Sequence, residues 1–203
     1  YPNKFDPNNI GDKDVIYIGA TTSRDVPKIM AIASQGSSLY IYEISPEMIQ
    51  GKKGTICSGY WELTPETGLV EGKLPVATSA YFDRMFYYAV GNKIYRADLT
   101  RSTPRSYEIY AHPDPSVRIT RLKFRSQRED RWDISGGDEV EAIPYDFVSY
   151  LGGVAEYPDG NCSMLEMKLT AAGEIDKEEG TKDLMVYEFK GFKNVVDFVY
   201  AFK

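Results

Sequence analysis

The dipeptide Gly91-Asn92 constrains this chain more than any other feature, because it sits between the runs Arg84-Met85-Phe86-Tyr87-Tyr88-Ala89-Val90 and Lys93-Ile94-Tyr95-Arg96-Ala97-Asp98-Leu99. A two-residue connection requires positive φ, which Gly and Asn tolerate, so the two runs are predicted to pair as a tight antiparallel hairpin. Similar runs begin at Val76 and Arg105 on either side, giving four short strands within residues 76–112. Four strands in about 37 residues is the size of one propeller blade.

The same grammar extends over the flanks. Upstream, runs starting at Val15, Lys28, Leu39 and Ile56 define a unit over residues 14–68, with its tight turn at Gln35-Gly36-Ser37-Ser38. Downstream, runs starting at Arg118, Phe147, Asn161 and Leu184 define a unit over residues 117–190. A last apolar run, residues 194–203, is predicted to be a closing strand. No segment keeps a 3.6-residue apolar period for more than about two turns, and the one helical turn expected is at residues 46–50, capped by Ser45. Sixteen Tyr, nine Phe and two Trp suit pleated, half-buried surfaces. The expected fold is therefore all-β and β-propeller-like: about three four-stranded antiparallel units plus a terminal strand, with a β-sandwich as the alternative. Closed propellers have typically four to eight blades, so residues 1–203 are expected to be either a single all-β domain or the C-terminal piece of a larger propeller.

A formal charge of −6, with Lys and Arg scattered along the chain, argues against nucleic acid as a partner. The longest apolar stretch falls well short of the roughly 20 residues of a membrane helix, so no direct membrane span is expected. The chain opens at Tyr1 with no signal-peptide pattern, as expected for a piece of a longer protein whose targeting segment lies upstream. Cys57 and Cys162 each follow a Gly turn at the start of a predicted strand. Paired, they would close a loop of about 105 residues, worth at most about 4.7 kcal/mol in chain-entropy terms; two separate thiols are the other reading.

Catalytic chemistry finds little footing. His112 is the sole histidine, and Pro113 and Pro115 make its surroundings a rigid surface turn between units. No Gly-x-Ser-x-Gly elbow accompanies it. Residues 6–17 imitate a calcium loop at the first, third and sixth positions but place Ile10 at the fifth and Tyr17 at the twelfth. Phosphate-binding loops are absent, and no spacing suits zinc, so no metal, cofactor or catalytic residue is expected. Asp83, Asp98, Asp133 and Asp159 lie near strand ends, where each is read as a turn residue bonding its own backbone. Residues 126–139 form a polar excursion carrying Trp132 between Arg131 and Asp133. An indole flanked by both charges suits stacking on a sugar face or anchoring a protein interface, so these three are candidate ligand-binding residues, the alternative being a loop whose Trp folds back onto the sheet; Tyr60 and Trp61 are a second pair, for which core packing is the other reading.

The hairpin over residues 86–98, together with the closing Gly191-Phe192-Lys193-Asn194-Val195-Val196-Asp197-Phe198-Val199-Tyr200, resembles the C-terminal region of the PKD-like surface lipoproteins of Bacteroides-type bacteria. The resemblance extends from about residue 14 to the end and departs from the family at Lys193, where Gly is expected. It implies a lipid-anchored, extracytoplasmic protein at the outer membrane or cell surface, held by an anchor outside this chain. It further implies upstream immunoglobulin-like domains, association with nutrient-uptake complexes and no catalytic residues. The expectation is a non-catalytic binding or scaffolding module with a protein or glycan partner; the alternative is a carbohydrate-active enzyme fragment using an Asp/Glu pair.

Overall fold

The computed structural model describes residues 13–21, 28–35, 38–44, 59–63, 77–82, 85–101, 104–129 and 146–200. Among them there is no helix and there are twelve strands in three four-stranded antiparallel sheets, none closed. The first sheet runs in the order β1 (Asp14–Thr21), β2 (Lys28–Gln35), β3 (Ser38–Ile44) and β4 (Gly59–Leu63). The second is β5 (Ala77–Phe82), β6 (Met85–Val90), β7 (Lys93–Asp98) and β8 (Ser106–Ala111). The third is β9 (Arg118–Glu129), β10 (Asp146–Glu156), β11 (Asn161–Leu169) and β12 (Val186–Lys193). Each sheet is a simple meander, so every strand pairs with its neighbour in sequence. That connectivity follows from the short turns: Val90 pairs with Lys93 across Gly91, whose φ of 58° meets the expected requirement, and Gln35 pairs with Ser38.

The sheets stack through alternating side chains. From β6, Phe86 and Tyr88 join Tyr95, Ala97 and Leu99 in a core with Ile32, Leu39, Ile41 and Leu63 of the first sheet. The intervening Tyr87 and Ala89 point the other way, into a second core with Leu122, Leu151, Leu165 and Met167 of the third sheet. Period-two alternation therefore buries both faces of the second sheet. The first strands of successive sheets are also neighbours, with β5 against β9 and β1 against β5. The linker between the second and third sheets is docked on the hairpin turn: His112 N donates to the Asn92 carbonyl at 2.9 Å, Asn92 Nδ2 to the His112 carbonyl at 2.9 Å, and Ile119 N to the Gly91 carbonyl at 2.8 Å.

Two expectations need correction. Residues 195–200 form no strand. Asn194, at a φ of 50°, turns the chain, and the segment lies across the face of the third sheet that points away from the second. There Tyr200 and Phe198 occupy the space a side chain at Gly152 would need. Lys123 Nζ reaches Asp197 at 2.8 Å, and the Arg125 guanidinium lies 4.5 Å from the Tyr150 ring centre and 5.0 Å from that of Tyr200 while bonding Glu166 at 2.8 Å. Aromatic and cationic side chains thus hold this segment, in place of backbone pairing. The polar excursion also starts later than expected: β9 continues through Arg128 and Glu129, which pair with Phe147 and Asp146. The expected helical turn at residues 46–50 and the thiol of Cys57 lie outside the described residues; Cys162 is buried.

Candidate functional site

The candidate ligand residues Trp132, Arg131 and Asp133 lie outside the described residues. Tyr60 is on β4 opposite Tyr42, with its side chain outside the description, and Trp61 is half-buried against the core between the first two sheets. Asp98 and Asp159 do bond their own turns, through the amides of Thr100 at 2.9 Å and Asn161 at 3.0 Å; Asp83 and Asp133 lie outside the described residues.

His112 is not the surface turn residue expected. It is 5% exposed, edge-on to the rings of Tyr110 and Tyr157. Its Nδ1 accepts from the Asp114 amide at 3.1 Å, and its Nε2 lies 3.6 Å from Glu188. The Glu188 carboxylate accepts hydrogen bonds from Ser163 Oγ and Tyr157 Oη, both at 2.7 Å. Desolvation opposes ionisation of Glu188, but these two bonds, together with the charges of Lys190 and His112, hold its carboxyl below the ordinary value. Burial pushes the Tyr110 hydroxyl up to about 12. Ser163 is fully buried and donates to the carboxylate instead of the imidazole, so the cluster lacks the nucleophile–base bond of acyl-transfer sites. Its effect is structural: it ties the linker after β8 to β11 and β12. The prolines that suggested a surface turn lead the chain between two sheets.

A cleft of about 510 Å³ opens elsewhere, between β7 and the edge strand β8 of the second sheet and the excursion joining β11 to β12. The volume lies in the roughly 300–1,000 Å³ range of small-ligand sites. Residues 170–184 build its far wall by folding back on themselves: Thr170 N donates to the Glu174 carbonyl at 2.8 Å and Asp176 N to the Lys168 carbonyl at 2.8 Å, with bridges joining Leu169 to Ile175 and Lys177 to Leu184. Two side chains of the second sheet pin this wall. Tyr87 Oη donates to the Gly173 carbonyl at 2.8 Å, and Arg96 donates to the Ala172 carbonyl. Gly173 is required at this approach, since its φ is 75° and any Cβ would collide with Met85 and Tyr87.

The apolar lining comes from Ile109, Ile175 and Leu184, and Tyr107 presents a ring that is 46% exposed. The three carboxylates of the cleft are engaged within the protein. Asp98 accepts from Thr100 Oγ1 at 2.6 Å, Glu108 pairs with Lys93 at 2.7 Å, and Glu174 lies 3.7 Å from Arg96. The Thr100 hydroxyl, aided by the Thr100 amide and by Arg101 and Arg96, holds the Asp98 carboxyl below its usual range against a smaller opposing effect of burial. Among the described residues, Arg105 and Lys177 have no carboxylate within 4.0 Å, and Arg101 reaches Asp98 only at 3.9 Å. Sequence reasoning missed this site. Its walls lie some 70 residues apart in the chain, and residues 170–184 carry no strand or helix period.

Among the described residues no group of three or more His, Cys, Asp or Glu is placed to hold a metal ion, and no helix is long and apolar enough to cross a membrane. Comparison with family models, curated proteins and solved structures finds no match to this chain.

Proposed function

We propose that this chain is a non-catalytic binding module, its three meanders serving as consecutive blades of a β-propeller-like scaffold in a cell-surface lipoprotein. The observation that carries the reading is the cleft between the second and third sheets, an open site of mixed polar and apolar lining with an exposed tyrosine on β8 facing a braced wall. Adjacent first strands, face-to-face stacking and uniform meanders support the blade arrangement. The lipoprotein setting rests on the resemblance of residues 86–98 and 191–200 described above, which also favours a protein or glycan partner. A glycosidase would need one carboxyl raised toward neutrality as general acid; Asp98, at the cleft, is displaced in the opposite direction.

Incubating the protein with a panel of neutral and acidic polysaccharides, and scoring retention and reducing-end release together, tests this reading. Retention without release is expected. Release of reducing ends that disappears when Glu108 or Glu174 is replaced by Gln would overturn it in favour of a carbohydrate-active enzyme.

A further inference from the structure

We infer that the cleft lined by Tyr107, Arg105 and Lys177 binds a pyranose ring that carries a carboxylate, that is, a uronic-acid unit of an acidic saccharide. This rests on the binding-module reading above and specifies its ligand. The charge arrangement carries it. Asp98, Glu108 and Glu174 already have cationic or hydroxyl partners, whereas Arg105 and Lys177 project from opposite walls with no carboxylate within 4.0 Å among the described residues. The site therefore presents two unneutralised cations across a gap, and a guanidinium offers a paired donor edge that matches a carboxylate.

The rest of the lining selects the body of the ligand. Tyr107 lines the same cleft as the two cations with a half-exposed ring, and the flat apolar face of a pyranose packs on such a ring. The engaged carboxylates keep unused lone pairs, because each ionised carboxylate has about four acceptor sites and the bonds described here fill only one or two. Acceptors of this kind suit the hydroxyl donors of a sugar. Donors, acceptors and an aromatic platform together fit a polyhydroxylated ring with one negative group better than a bare inorganic anion, which would use only the cations.

The test is titration of the isotopically labelled protein with a trimer of galacturonic acid, followed by amide shifts, alongside neutral trigalactose and the peptide triglutamate. The acidic saccharide is expected to shift amides at residues 105–109 and 174–177, with binding weakened as salt rises. The double variant R105Q/K177Q should bind about tenfold or more weakly, as loss of charge-assisted hydrogen bonds implies, and Y107A should weaken it by a smaller factor. All three side chains are exposed, so unchanged melting curves verify that the variants fold. Absence of shifts at millimolar ligand, shifts confined to other regions, or equal binding by the double variant would overturn the inference. So would triglutamate binding as tightly as the saccharide, which would make the cleft an acidic-peptide site. Trigalactose binding equally well would also remove the anion inference but leave the binding-module reading intact. Cleavage of the galacturonate trimer would overturn the non-catalytic reading while leaving the anion subsite standing.

Discussion

The second and third sheets are both four-stranded meanders, yet their strands are buried to different patterns. In β6 the four central residues, Phe86 to Ala89, are all buried; in β11 buried and half-buried positions alternate over most of the strand, and β12 is exposed along nearly all its length. The difference follows from the neighbours. The second sheet has a sheet on each face, whereas the third has the second sheet on one face and residues 195–200 on the other. A strand with a sheet on either side reads as an unbroken apolar run, and one backed by a single sheet reads as alternation. Edge exposure adds to the contrast, since Tyr187, Phe189 and Phe192 of β12 are all exposed while Tyr88 is fully buried.

The largest effect should come from breaking the doubly covered sheet. Tyr88→Ala removes a ring stacked 5.3 Å from Tyr95 and 5.8 Å from Phe86, together with its 2.7 Å hydrogen bond to Ser106. A loss of about 3–5 kcal/mol in chemical denaturation is expected. The matching change on the outer edge, Tyr187→Ala, should stay within about 0.5 kcal/mol. Comparable losses at both positions would remove the distinction between the sheets.

An intermediate effect is expected where the terminal segment covers the third sheet. Gly152→Ala places a methyl group against Tyr200 and Phe198 and should cost about 1–3 kcal/mol unless the segment lifts away. Quenching or proteolysis at residues 195–200 distinguishes the two responses. If the substitution changes neither stability nor accessibility of the segment, the face is not covered as described.

The smallest effect is the pH response of Glu188. Its carboxyl is held below the ordinary value in the folded protein, so its stabilising contribution is complete above the unfolded value of about 4.3 and is lost as pH falls through the folded value. The melting temperature of the parent should therefore fall more steeply below about pH 4.3 than that of Glu188→Gln. Parallel curves would mean that the bonds from Ser163 and Tyr157 do not favour the charged form.

Much of this architecture is legible in the residues themselves. Gly91-Asn92 between two aromatic runs specifies the β6–β7 hairpin, and similar local punctuation marks all three meanders. Legibility fails where local pattern leaves tertiary placement open. Residues 195–200 carry the apolar and aromatic residues of a strand, yet Val196 and Val199 are exposed while Phe198 and Tyr200 pack over Gly152, and nothing local says whether the backbone pairs or merely lies on a sheet. The far end of β9 is strongly polar, so its pairing with β10 is set by register carried over from Leu122 and Phe124, not by its own hydrophobicity. His112 illustrates the same limit: two prolines describe a rigid turn but not that it threads between sheets. The cleft was the least legible part, because Arg105 and Lys177 gain a relation only once residues 170–184 dock on Tyr87 and Arg96.

The second sheet is enclosed between its two neighbours. Amide hydrogen exchange resolved by residue tests this enclosure most directly, because protection reports the free energy of local opening. β6 and β7 should exchange slowest, β10 and β11 next, and β12 and residues 195–200 fastest. A second sheet that exchanges as fast as β12, or before β10 and β11, would contradict it.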